Sequence, residues 1–213
     1  DPFRHPIDGL RGVFNPIGSL ADKLRVGWSR LRGFDFSHHD PGLTTLEALR
    51  AEGFSDSMIE RFFRPFLGGV FLENQLNTTV RKLEFVMRNF ARGDTAIPAL
   101  GMAEIPKQLA AALPVDSIRL NAKVVAIEEN DVHLESREVL TAKAVVIAAD
   151  KGAARSFLGQ SDPPTDSNSV SCLYFTAPSP PVREPILMLN GEGAGPINNM
   201  SVLSTVSPYY APP

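Results

Sequence analysis

The apolar residues of this chain change their period once, near Ile97, and that change limits the fold more than any single motif. Before it, hydrophobic side chains recur three or four residues apart, the spacing of one helix face. After it they come in β-branched runs, which suit strands. The chain therefore reads as a mixed α/β protein: helices first, then helix, strand, hairpin and strand, then a further β-rich stretch.

Residues 1–18 are rich in proline and glycine and read as irregular. Ser19 with Asp22 is a capping-box signal, followed by the stripe Leu20, Leu24, Trp28, Leu31 and a stop at Gly33. Thr44 and Glu47 repeat the signal for a short helix through Leu46 and Leu49 to Gly53. Ser55 opens a third helix with Ile59, Phe62, Phe63, Phe66 and Leu67 on one face, and Pro65 with Gly68-Gly69 predicts its end. A fourth is expected over Thr79–Ala91, with Leu83, Val86, Met87 and Phe90 inward.

Beyond the loop Pro98–Met102, Pro106 suits a first helical turn, and Ile105, Leu109 and Leu113 predict a buried stripe. Strands are expected at Ser117–Ile127, Val132–Glu135 and Val139–Ala149. The last contains Ala144-Val145-Val146-Ile147-Ala148-Ala149, a run expected to be buried on both faces of a parallel sheet. Ala153–Leu158 reads as a helical turn and residues 159–168 as a polar linker. Further strands are expected at Val170–Thr176, Pro185–Asn190 and Asn198–Thr205.

Composition removes several functions. The 213 residues carry 21 Lys plus Arg against 24 Asp plus Glu, a net −3, so nucleic acid is not an expected partner. No run approaches a membrane span, although peripheral membrane contact stays compatible. The single cysteine, Cys172, lies in the apolar run Val170–Phe175 and is expected to be a small buried hydrophobe. That usage fits a reducing compartment, the cytoplasm or an organelle stroma. The first and last residues read as cut, so the chain is expected to be an internal piece of a longer protein. Oligomeric state is left open.

Catalytic signatures are sparse. There is no Gly-x-Gly-x-x-Gly, and Gly191, Gly193 and Gly195 precede a strand and read as a hairpin loop. No serine-hydrolase elbow occurs. His38-His39-Asp40 reads as a solvated loop, because adjacent histidines usually point apart and no matching Cys or Asp/Glu cluster is visible. No metal is expected, and His5 and His133 read as structural. Phe62, Phe63, Phe66, Phe71, Phe85 and Phe90 read as helical core, with some free to line an apolar substrate cavity.

The segment Ile97-Pro98-Ala99-Leu100-Gly101-Met102-Ala103-Glu104-Ile105-Pro106 resembles the Pro-x-Gly-Gly-Met loop and helix of flavin-containing amine oxidases and phytoene-desaturase-like proteins. Ile118–Ile127 and Leu140–Asp150 are similar to two strands of that family. Phe63-Arg64-Pro65-Phe66-Leu67-Gly68-Gly69 resembles the helix end of its desaturase branch. The resemblance implies FAD, a Rossmann-like cofactor domain built from scattered segments, and a substrate domain of helices on a mixed sheet. Residues 1–95 would be substrate-domain helices, 96–158 a cofactor-domain segment and 169–213 a β-rich substrate-domain segment. The implied adenine contact is the main chain of Val124, and the small residue near the cofactor is Ala148. The loop facing flavin and substrate maps to Gly101, Met102 and Glu104, with Leu100 standing where the family has its first glycine. The implied activity is oxidation or desaturation of a mostly apolar small molecule. A flavin-dependent isomerase of the carotenoid type, or a non-catalytic binding module on the same fold, is the alternative. The family's phosphate-binding loop has no counterpart in the sequence, so the chain by itself is expected to bind FAD weakly or not at all and to be inactive.

Overall fold

The computed structural model describes residues 15–160 and 168–211. The expectations for residues 1–14 and for most of the 159–168 linker therefore lie outside the described residues. The fold is mixed, with helices and two small antiparallel sheets. It divides into two compact units, residues 1–102 with 168–213, and residues 103–167.

The first unit opens with α1 (Leu20–Leu31), capped by Ser19 and Asp22 in a full capping box. The second capping box, Thr44 with Glu47, starts α2 (Thr45–Ala51). Gly33 and Gly53 follow these helices with φ of +71° and +82°, which glycine adopts without a Cβ clash. The third helix differs from expectation. It begins as α3 (Asp56–Met58), widens into a π-turn (Ile59–Phe63) and continues as α4 (Arg64–Phe71), so neither Pro65 nor Gly68-Gly69 ends it. Pro65 has no N–H to donate, and the π-turn just before it places it in the first turn of α4, where that loss is tolerated. The helix stops only at Leu72, in the left-handed region.

Helix α5 (Val80–Arg92) starts beside α2. Thr45 N–H and Oγ1 both donate to Thr78 C=O at 2.7 Å, and Val80 N–H donates to Leu43 C=O at 2.9 Å. The core of this unit is Leu49, Ile59, Phe63, Leu67, Leu76, Val80 and Leu83, all buried. A short hairpin, β4 (Leu187–Leu189) and β5 (Asn199–Ser201), then α8 (Leu203–Val206) complete it. The strand expected at Val170–Thr176 does not form. Phe175 is 86% exposed, and Cys172 is exposed rather than buried, because no neighbouring strand among the described residues offers this run hydrogen bonds or apolar cover.

The second unit holds α6 (Glu104–Ala111), the antiparallel sheet β1 (Val124–Glu128), β2 (Asp131–Leu134), β3 (Val139–Thr141), and α7 (Lys151–Phe157) capped by Asp150. The strand expected at Ser117–Ile127 forms only from Val124 on. Two further expectations fail here. Ile105, Leu109 and Leu113 are exposed, not a buried stripe. The run Ala144–Ala149 forms no strand, and Val146 is 88% exposed. A β-branched run becomes a strand only beside a partner that takes its N–H and C=O groups, and none of the described strands pairs with it. Among the described residues no helix is long and apolar enough to cross a membrane.

Candidate functional site

In the second unit, β1 lies at one edge of the sheet order β1-β2-β3. Val124 faces Leu134 of β2, and Ala126 faces His133, so Val125 is bulged. Glu135 N–H donates to Lys123 C=O at 2.9 Å. Lys123 thus turns its main chain toward β2. Successive residues of a strand turn their peptide groups to opposite sides, so the N–H and C=O of Val124 point to the outer edge, which no strand among the described residues pairs with. A planar ligand edge with neighbouring donor and acceptor atoms can pair there, whatever side chain position 124 carries. This part of the structure fits the main-chain contact that FAD would need.

The other expected positions are spread over both units. Gly101 has φ +108° and open space around the position a Cβ would take, so its conformation, not crowding, calls for glycine. Its turn is tied down by its own unit: Gly101 N–H and Tyr210 Oη donate to Pro98 C=O at 3.1 and 2.9 Å, and Ser207 Oγ donates to Ala99 C=O at 3.0 Å. Met102, the last residue of the first stretch of that unit, is exposed. Glu104 sits in the first turn of α6 and pairs with Lys107 at 2.7 Å. Ala148 is exposed in the segment that forms no strand.

The phenylalanines divide by role. Phe63 and Phe71 are buried in the core, while Phe85 is exposed. Phe62 and Phe66 stack at 5.7 Å with an 11° tilt, and Phe66 meets Phe90 at 5.2 Å. Phe62 and Phe66 pack part-buried against the core, whereas Phe90, expected to face inward, is exposed beside Phe66. Beside them, a Cβ on Gly69 would stand 2.8 Å from Asn199 Nδ2 and 2.9 Å from Asn198 Oδ1. Gly69 in α4 therefore leaves room for the Asn198 and Asn199 side chains of the hairpin to lie against that helix, while Gly68 meets Asn74 Oδ1.

Three carboxylates matter to which the sequence assigns no contact across the fold. Asp22 is fully buried and accepts from Ser19 N–H and Oγ at 2.7 and 2.6 Å and from Ser55 N–H and Oγ at 2.8 and 2.7 Å. Burial alone would push its carboxyl up, but these bonds outweigh it and hold it well below the usual carboxylate range. Glu73 accepts from Thr78 Oγ1 and N–H at 2.9 and 3.1 Å, and these and neighbouring main-chain donors lower its pKa against the opposing effect of burial. Glu52, at the C-terminal end of α2, receives His38 Nε2 at 2.9 Å and His39 Nε2 at 2.8 Å on the same Oε1. The sequence offers no sign that a carboxylate 13 residues on meets the histidine pair.

Comparison with curated proteins and with solved structures finds no match. A family model for flavin containing amine oxidoreductases matches residues 3–213, and the chain therefore belongs to this flavin-dependent oxidoreductase family.

Proposed function

We propose that the chain forms part of an FAD-dependent oxidase or desaturase that acts on a mostly apolar small molecule. It would supply substrate-side helices and a segment of a Rossmann-like cofactor domain. The observation that carries this reading is the outward-facing main chain of Val124 on the open edge of β1, in a chain matched to the family along almost its whole length.

FAD, when bound, supplies the redox chemistry. Val124 N–H and C=O would hold the adenine edge, and the small side chain of Ala148 would leave room beside the cofactor. The turn at Gly101 and Met102 and the first turn of α6 at Glu104 would face flavin and substrate. The part-open rings of Phe62, Phe66 and Phe90 supply the kind of apolar wall that orients an apolar substrate and excludes water.

The test is a pair of substitutions made in the full-length protein and read by flavin content per protein after purification. Val124→Ala keeps the peptide groups and should retain the flavin level of the parent. Val124→Pro removes one N–H from the open edge without touching the ladder to β2, and should lower it at least about 10-fold. Equal flavin content in the two variants, with circular dichroism unchanged, would overturn the assignment. Turnover of apolar amines against polyenes would then separate oxidase from desaturase.

A further inference from the structure

We infer that His38, His39 and Glu52 form a binding site for one divalent transition-metal ion of the Zn2+ class. Adjacent histidines normally diverge, but here both rings turn to the same side. Their centroids are 4.1 Å apart, and both Nε2 atoms converge on Glu52 Oε1. Among the described residues this is the cluster whose ligand atoms all lie within 4.8 Å of one another. The loop holds the arrangement: His39 N–H donates to Phe36 C=O at 3.0 Å, and the Phe36 and His39 rings stack at 6.2 Å. The His39 side chain is only 12% exposed, whereas that of His38 is 52% exposed, so one ligand is set by packing and the other opens to solvent. His38 and Glu52 also line a shallow depression with Trp28, Arg32 and Asp35, which gives an ion a route in.

The donor set has the right chemistry. Two imidazole nitrogens and a carboxylate oxygen suit Zn2+ and its first-row neighbours rather than Mg2+ or Ca2+, which prefer oxygen alone. Metal–ligand bonds of about 2.0–2.1 Å in a tetrahedron place donor atoms about 3.3 Å apart. The present separations of 2.8 and 2.9 Å need to open by only about half an ångström, within reach of side-chain torsions. Binding requires each ring to carry its proton on Nδ1 and leave Nε2 bare. Glu52 stands at the C-terminal end of α2, where the helix dipole is negative, which adds to the attraction of its carboxylate for a cation. With three protein ligands, water takes the fourth position. The ion would pin the loop carrying His38 and His39 to the end of α2, a structural role separate from flavin chemistry.

Calorimetric titration of tag-free, chelator-washed protein with ZnCl2 tests this, followed by thermal denaturation with and without the metal. The expected result is one saturable site in the micromolar range or tighter, and a higher melting temperature that EDTA reverses. His39→Gln and Glu52→Gln should each weaken binding by at least about 10-fold. His38→Gln, at the exposed ligand, should do the same with the fold undisturbed, so it carries the test if the other variants fail to fold. His133→Gln, in the other unit, should bind as the parent does. No saturable heat, or equal affinity in His38→Gln and the parent, would overturn the site and show that Glu52 merely bridges two protonatable rings.

Discussion

Asp22 and Ser55, 33 residues apart, are joined by two hydrogen bonds: Ser55 N–H to Asp22 Oδ1 at 2.8 Å and Ser55 Oγ to Oδ2 at 2.7 Å. Asp22 also closes the capping box of α1, and Ser55 is the N-cap of α3. One buried carboxylate therefore fixes the starts of two helices against each other. Asp22→Ala leaves those buried donors without an acceptor and should cost about 3 kcal/mol, and Asp22→Asn about 2 kcal/mol, in urea denaturation.

The same residue sets an acid limit. Its folded-state pKa lies below the unfolded value, so its contribution is fully present above the unfolded pKa of about 3.9 and is lost as pH falls through the lower folded value. The stability gap between the parent and Asp22→Asn should be constant above about pH 5 and shrink below about pH 4. Denaturant midpoints measured across that range decide it. A gap that widened in acid would contradict the assignment.

Gly191 approaches the π-turn closely. A Cβ there would lie 2.7 Å from Arg61 C=O, the carbonyl whose usual helical donor four residues on would be Pro65. Backbone on both sides leaves little freedom to yield, so Gly191→Ala should destabilise by about 1–3 kcal/mol. Gly27 is the contrast. It lies inside α1 with nothing within 4 Å of a Cβ, so Gly27→Ala should stabilise by about 0.5–1 kcal/mol. Paired denaturation curves of the two variants read opposite signs.

What the sequence discloses follows the range of the interaction. Ser19 with Asp22 and Thr44 with Glu47 are complete within four residues, so both helix starts are legible in the residue order alone. Pro65 misleads because the π-turn that accommodates it shows in the backbone rather than in any residue pattern. Ala144–Ala149 and Val170–Thr176 mislead for a different reason: runs of strand-favouring residues state a capacity, and only a partner strand realises it. The candidate sites divide in the same way. The outward-facing peptide of Val124 depends on which side of β1 the hairpin occupies. The convergence of His38 and His39 depends on α2 bringing Glu52 back to their loop.

Helix α1 turns Asp22 and Val26 toward the core and leaves Leu20, Leu24, Trp28 and Leu31 on the opposite face, with Trp28 62% exposed. The stripe that the sequence marks as helix-forming is therefore not what holds the helix in place. The capping box and the Asp22–Ser55 bonds anchor it instead. Replacing Leu24 and Leu31 together by Gln should then change the free energy of unfolding by no more than about 0.5 kcal/mol per site, the range of ordinary surface positions. It should also reduce self-association at high protein concentration, because an exposed apolar stripe this long invites contact. Light scattering and urea denaturation on the same samples separate the two effects. A loss of several kcal/mol would show that the stripe is covered in the folded protein and that Asp22 does not act as the principal anchor of α1.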